Sequence, residues 1–74
     1  MGYIDLEEIG KNEVGDYVIS TIKPGCSNVY ETAICLKELG NWHVIETYTT
    51  KEFAMEGHRK YSNMKSKDLE NLTR

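Results

Sequence analysis

Two cysteines and two histidines are the side chains of this sequence best suited to nucleophilic or metal chemistry. Either cysteine could pair with His43 or His58, since a thiol becomes a better nucleophile beside an imidazole. No neighbouring residue pattern orients either histidine, and Cys26 and Cys35 lack the spacing of a zinc site or a redox pair. A glycine-rich phosphate loop and a nucleophile elbow are also missing from the sequence. The pattern therefore predicts no enzyme, no metal site and no cofactor.

A basic segment, residues 58–67, begins with His58, Arg59 and Lys60 and contains no acidic side chain. Beside an aromatic ring, these three side chains could hold the phosphate and base of a nucleotide. Tyrosines are also enriched at protein interfaces, although most buried tyrosines belong to a core. The candidate binding residues are His58, Arg59, Lys60, Tyr30, Tyr48 and His43. The cations of the segment are few and interrupted by polar residues, so nucleic acid is an unlikely partner.

Length and composition predict one small domain. The chain has 74 residues, of which 39% are hydrophobic and 28% charged, with a net charge of −3. A chain of this size has a thin core. It contains no apolar run long enough to span a bilayer and no signal-peptide pattern. We therefore expect reduced thiols, no membrane association and a cytoplasmic location in the host cell.

Three segments read as strands because they are rich in aromatic and β-branched residues. They are residues 17–22, 29–36 and 42–48. The loops between them are too short for parallel crossovers, which predicts an antiparallel meander. In the last strand, alternation places Trp42, Val44, Glu46 and Tyr48 on one face, which we predict to be the core face.

An amphipathic helix is predicted to follow the third strand and to run to Met64. The pattern Thr49-Thr50-Lys51-Glu52 fits a capping box with Thr49 as its first residue. An apolar stripe then contains Phe53, Ala54, Gly57, Tyr61 and Met64, with His58 at its edge. Glycine at the centre of such a stripe predicts a close approach to a large group, either Trp42 or a strand backbone.

The predicted fold is an α+β domain in which a three-stranded antiparallel meander packs against one C-terminal helix. Residues 5–10 are expected to form a short helical turn capped by Asp5 and ended by Gly10. The domain is assigned to residues 1–64, and residues 65–74 are expected to be a polar tail, frayed or disordered. The second sheet face is predicted to draw on Val18, Ile22, Ala33, Cys35, His43 and Ile45. Such an apolar face predicts a homo-oligomer, with a dimer as the simplest case.

The residues Tyr30-Glu31-Thr32-Ala33, Glu46-Thr47-Tyr48, Thr50 and Gly57-His58, together with Trp42, form a recurring pattern. It resembles a pattern in small uncharacterised proteins of tailed bacteriophages, in which a Y/F-E-T strand precedes a Y-x-T hinge and a helix with a Gly-His pair. The resemblance spans residues 28–62. It implies a phage or prophage origin and brings no catalytic residues with it.

Two functional hypotheses follow. The first is a phage accessory protein that acts as a protein-interaction module, binding a host or phage protein and inhibiting, for example, a host defence factor. The second is a small-ligand binder that sequesters a signalling nucleotide between protomers through His58, Arg59 and Lys60. A virion structural role is a third hypothesis that the residues leave open.

Overall fold

The computed structural model describes residues 6–73. Its elements are β1 (Glu7–Val14), β2 (Tyr17–Lys23), β3 (Tyr30–Leu36), β4 (Trp42–Tyr48), α1 (Lys51–Ser62) and α2 (Ser66–Leu72). The strands form an antiparallel sheet in the order β1-β2-β3-β4, and α1 contacts all four of them. The predicted α+β class and antiparallel meander are therefore confirmed. The prediction of three strands and one helix is wrong, because the structure contains four strands and two helices within the described residues.

The additional strand, β1, occupies most of the segment predicted to form a helical turn. β1 pairs with β2 from Glu7 opposite Lys23 to Val14 opposite Tyr17. The two strands are joined by a two-residue loop whose first residue, Gly15, has φ +59°, a conformation that glycine adopts at little cost. A lone helical turn bears the full cost of nucleation, whereas a strand beside β2 gains a ladder of hydrogen bonds. Asp5, the predicted cap, lies outside the described residues.

A β-bulge in β4 overturns the predicted core face of that strand. Thr32 of β3 pairs with Glu46, but the next residue, Ala33, pairs with Val44, so Ile45 is an extra residue in the ladder. Glu46 and Tyr48 consequently face the helices, while Trp42 and Val44 face the opposite side of the sheet. Trp42 is 48% exposed and Val44 53% exposed.

Helix α1 begins one residue later than the capping box predicts. The N-cap is Thr50 rather than Thr49, and the Thr50 hydroxyl accepts a hydrogen bond of 3.2 Å from the backbone N–H of Phe53. Most of the predicted apolar stripe does face the sheet, since Ala54, Gly57 and Tyr61 are buried. Phe53 is an exception, because its position in the first turn leaves it 59% exposed.

The core lies between the sheet and both helices. Its buried cluster consists of Tyr17, Ile19, Ile34, Tyr61 and Leu69. Leu69 belongs to α2 and is fully buried. The expectation of a polar, frayed tail over residues 65–74 therefore needs correction for Ser66–Leu72, because one leucine in that segment supplies enough apolar contact to dock a short helix.

Candidate functional site

A glycine allows α1 to approach the end of β4 closely. A Cβ atom built on Gly57 would overlap the phenol oxygen and ring of Tyr48. The predicted close approach is therefore confirmed, although the large group is Tyr48 rather than Trp42 or a strand backbone. Trp42 cannot serve because the bulge at Ile45 places it on the other face of the sheet. The Tyr48 hydroxyl therefore lies between α1 and the sheet.

That hydroxyl belongs to a continuous row of polar side chains beneath α1, which we call the polar chain. In order, the polar chain joins Asn12, His58, Thr21, Thr32, Tyr48 and Glu46. Its successive contacts measure 2.5, 2.7, 2.6, 3.0 and 3.0 Å. Thr21 and Thr32 are fully buried and His58 is 9% exposed. Such groups require partners, and no buried side-chain nitrogen or oxygen in residues 6–73 lacks one.

Counting hydrogens relates the direction of the polar chain to the orientation of the Asn12 amide, whose Oδ1 faces His58 Nε2 and the Ser62 hydroxyl in the structure. Its five contacts require five hydrogens. Three hydroxyls and a neutral imidazole supply four, and the carboxylate of Glu46 supplies none. A neutral His58 therefore satisfies every contact only when Asn12 turns its amide nitrogen, rather than its oxygen, towards His58 Nε2. His58 then donates from Nδ1 to Thr21, and each following hydroxyl donates towards Glu46.

The two ends of the polar chain are electrostatically different. Burial lowers the pKa of the His58 imidazole. Burial also raises the pKa of Glu46, but hydrogen bonds from Tyr48 and Lys60 outweigh that effect and hold the Glu46 pKa below its ordinary value. Lys60 Nζ lies 3.3 Å from Glu46 Oε1. The chain thus connects a neutral imidazole to an ionised carboxylate at the other side of α1.

The burial of His58 predicts a pH dependence of stability. An unfolded histidine titrates at about pH 6.5, and burial lowers the pKa of His58 in the folded protein. Between these two pKa values the unfolded state binds more protons, so the free energy of unfolding rises with pH there. We expect the contribution of neutral His58 to be complete above about pH 6.5 and to be lost as the pH falls towards the folded-state value.

Urea unfolding between pH 5 and 8 measures this dependence. His58→Gln should flatten the curve around pH 6, whereas His43→Gln, which replaces an exposed histidine, should leave it unchanged. A slope that survives in His58→Gln would show that another group is responsible.

The six predicted binding residues do not form one site. His58 and Tyr48 belong to the polar chain, and Tyr30 lies opposite Tyr48 in the sheet. His43 lies towards the other end of β4, opposite Ile34, and is therefore on the helix-covered side rather than on the predicted second face. The bulge at Ile45 causes this change of side.

Arg59 and Lys60 diverge because successive helical residues are rotated by about 100°. Arg59 lines a groove of about 320 Å³ together with His58, Asn12 and Ser62. Lys60 lines a different groove of about 470 Å³ beside Glu46. His58 itself is committed on both ring nitrogens, to Thr21 and Asn12. The three consecutive residues therefore face different surroundings.

The polar chain includes four residues that were not among the predicted binding residues, namely Asn12, Thr21, Thr32 and Glu46. A signal for the two threonines was present, since alternation places Thr21 beside Ile19 and Thr32 beside Ile34 on inward faces. Polar residues at equivalent inward positions of neighbouring strands indicate a partner in the opposite layer. No comparable signal marked Asn12, because β1 itself was not predicted.

The sheet separates the Cys35 thiol from both histidines. Cys35 pairs with Val18 and Trp42, so it lies on the side away from the helices, whereas His58 lies beneath α1. Among residues 6–73, no three metal-ligating side chains converge. No helix in this part of the chain combines the length and hydropathy needed to cross a bilayer.

No family model, curated protein or solved structure matches this chain.

Proposed function

We propose that this protein is a small phage-type protein-interaction module that works as a homodimer. The observation that supports this proposal most directly is the sheet face opposite the helices, called here the open face. Six apolar side chains lie on it by register: Val18, Ile22, Ala33, Cys35, Trp42 and Val44. An apolar face of this kind on a small protein is typical of an interaction surface.

The proposed occupant of the open face is a second copy of the chain. Antiparallel sheets pack face to face about 10 Å apart, with interdigitating side chains. A sheet of four strands, each about seven residues long, has a footprint of about 19 by 23 Å. Two such faces would bury about 880 Å² if they were flat, and protruding side chains add to this area. The total is close to the lower limit of about 1,000 Å² for a specific interface. A dimer would therefore use the whole face.

The charges around the open face suit self-association. Glu8, Lys11, Glu13 and Glu31 share this side of the sheet, because their partners Ile22, Ser20 and Val18 face it. Lys37 bonds to Glu13 at 2.6 Å. Charges of both signs at the rim allow a two-fold arrangement without a uniform like-charge barrier.

A dimer built this way leaves both helical layers directed outwards. Those layers would be free to bind a host or phage protein, including a host defence factor that the protein inhibits. The phage assignment rests on the resemblance of residues 28–62. The nucleotide-sequestering alternative needs His58, Arg59 and Lys60 around one ligand, and the divergence of Arg59 and Lys60 into separate grooves favours the interaction module.

Sedimentation equilibrium of the wild type and two matched variants tests the dimer. Val44→Glu places a carboxylate on the open face, whereas Met55→Glu places one on α1, where the side chain is similarly exposed at 46%. Each dimer would bury two unpaired carboxylates in the Val44 variant, so its dissociation constant should rise by about 100-fold or more. Met55→Glu should remain dimeric.

A wild type that stays monomeric at high concentration would contradict the proposal. Equal dissociation of both variants would show that the open face is not the contact. Circular dichroism of each variant verifies that the fold is retained.

A further inference from the structure

The outer edge of β4 is the least protected part of the sheet. β4 is a terminal strand in the order β1-β2-β3-β4, so in the described part of the chain no strand pairs with its outer side. The opposite terminal strand, β1, has four charged residues among eight, namely Glu7, Glu8, Lys11 and Glu13. β4 has only Glu46 among its seven residues. Charge normally protects an edge from pairing with another chain, and β4 largely lacks that protection.

A groove of about 470 Å³ runs along this edge, between the end of β4 and α1. Four consecutive residues line it, from Glu46 to Thr49. Side chains alternate between faces along a strand, and Thr47 pairs with Glu31 on the side away from Tyr48. A groove that touches Glu46, Thr47 and Tyr48 therefore reaches the edge of the strand as well as its α1 side. The volume lies within the usual range of about 300–1,000 Å³ for ligand sites.

The wall formed by α1 combines an apolar ring with acidic charge. Phe53 lines the groove and is 59% exposed, so packing in the core does not explain why an apolar residue occupies this position. Glu46 and Glu56 contribute two carboxylates, whereas Lys60 contributes one cation that is already 3.3 Å from Glu46. The carboxylate of Glu56 is left to attract a cation from outside. The groove thus complements an apolar side chain and a nearby lysine or arginine.

We propose that the β4 edge and the adjoining groove bind an extended segment of another protein by strand addition. The segment would pair its main chain with residues 46–49, place one large apolar side chain against Phe53 and one basic side chain near Glu56. Main-chain pairing provides affinity in this mode, and alternate side-chain contacts provide specificity. The proposal rests on the proposed interaction function but uses a surface distinct from the open face.

The bulge at Ile45 limits the length of the pairing. It interrupts the ladder just before Glu46, so a regular added strand can extend only over the last part of β4 and the residues after it. A short pairing segment predicts modest affinity and a strong dependence on the two side-chain contacts. It also discourages continuous edge-to-edge assembly of many copies.

Selection from a library of displayed twelve-residue peptides tests the proposal. Peptides retained by the wild type and rejected by the Phe53→Ser/Glu56→Lys double variant should share a large apolar residue near a lysine or arginine. Fluorescence anisotropy of the best peptide should show binding weakened at least about tenfold by either single substitution. N-methylation of the peptide's central amides should weaken binding to a similar extent, because it removes main-chain donors.

The outcomes separate this proposal from the dimer. Val44→Glu should lose the dimer and still bind the peptide like the wild type. A wild type that binds the peptide but stays monomeric would overturn only the open-face dimer. Failure to enrich any peptide, an acidic consensus, or insensitivity to N-methylation would overturn strand addition and leave the dimer intact. Dissociation of a wild-type dimer by Phe53→Ser, but not by Val44→Glu, would assign the groove to a second copy and overturn the peptide proposal.

Discussion

Replacing Gly57 with alanine is expected to lower the free energy of unfolding by about 1–3 kcal/mol. At an exposed helical site the same change stabilises by about 1 kcal/mol, because alanine is the better helix former. The sign reverses here because a Cβ atom at Gly57 overlaps the ring and hydroxyl of Tyr48. Relief would require α1 to move away from β4, which would stretch the hydrogen bonds of Tyr48 to Thr32 and Glu46. Gly57→Leu should be more damaging still.

Urea unfolding followed by circular dichroism measures this effect, and two further variants make it specific. Glu56→Ala changes the exposed neighbouring residue and should alter stability by less than about 0.5 kcal/mol. Tyr48→Leu removes the overlapping ring atoms, so the double variant Gly57→Ala/Tyr48→Leu should lose less than the sum of the two single losses. A Gly57→Ala protein as stable as the wild type would contradict the close packing of α1 on Tyr48.

Leu69→Ala is expected to cost about 2–5 kcal/mol, the range for removing a buried leucine side chain. Leu69 is fully buried against the core although it lies in the last helix of the described chain. Most of the apolar contact of α2 comes from this side chain, since Leu69 is the only buried residue of that helix within the described residues. Its loss should therefore both open a cavity and detach α2.

Leu72→Ala is the matched control because it makes the same chemical change on the same helix at a residue that is 44% exposed. Thermal unfolding should show a loss below about 1 kcal/mol for Leu72→Ala. Equal, small losses in the two variants would show that α2 does not dock in solution and that residues 65–74 behave as the tail predicted from the sequence.

Local residue patterns predict much of this fold because the relevant interactions are local. The three later strands and the amphipathic face of α1 both follow from short-range periodicity and capping chemistry. Alternation also placed Thr21 and Thr32 on inward faces. The conformation of these residues is determined by their neighbours in the sequence, so it can be predicted without knowledge of distant contacts.

The missed features depend on contacts that are distant in the sequence. Residues 7–14 have weak strand propensity and become a strand because β2 offers them a ladder. The bulge at Ile45 is invisible to a strict two-residue period, yet it decides that Trp42 faces the open side. His58 is buried because Asn12 and Thr21, 46 and 37 residues away, satisfy both ring nitrogens.

The sequence by itself thus determined the class of the fold, the antiparallel order of the later strands and the need for a glycine at position 57. Only the tertiary structure decided which groups meet: the polar chain under α1, the separation of Arg59 from Lys60, and the exposed groove beside β4. The physical reason is that period and propensity fix the face a residue occupies within its own element. The partner that it finds depends on register, bulges and the approach of other elements.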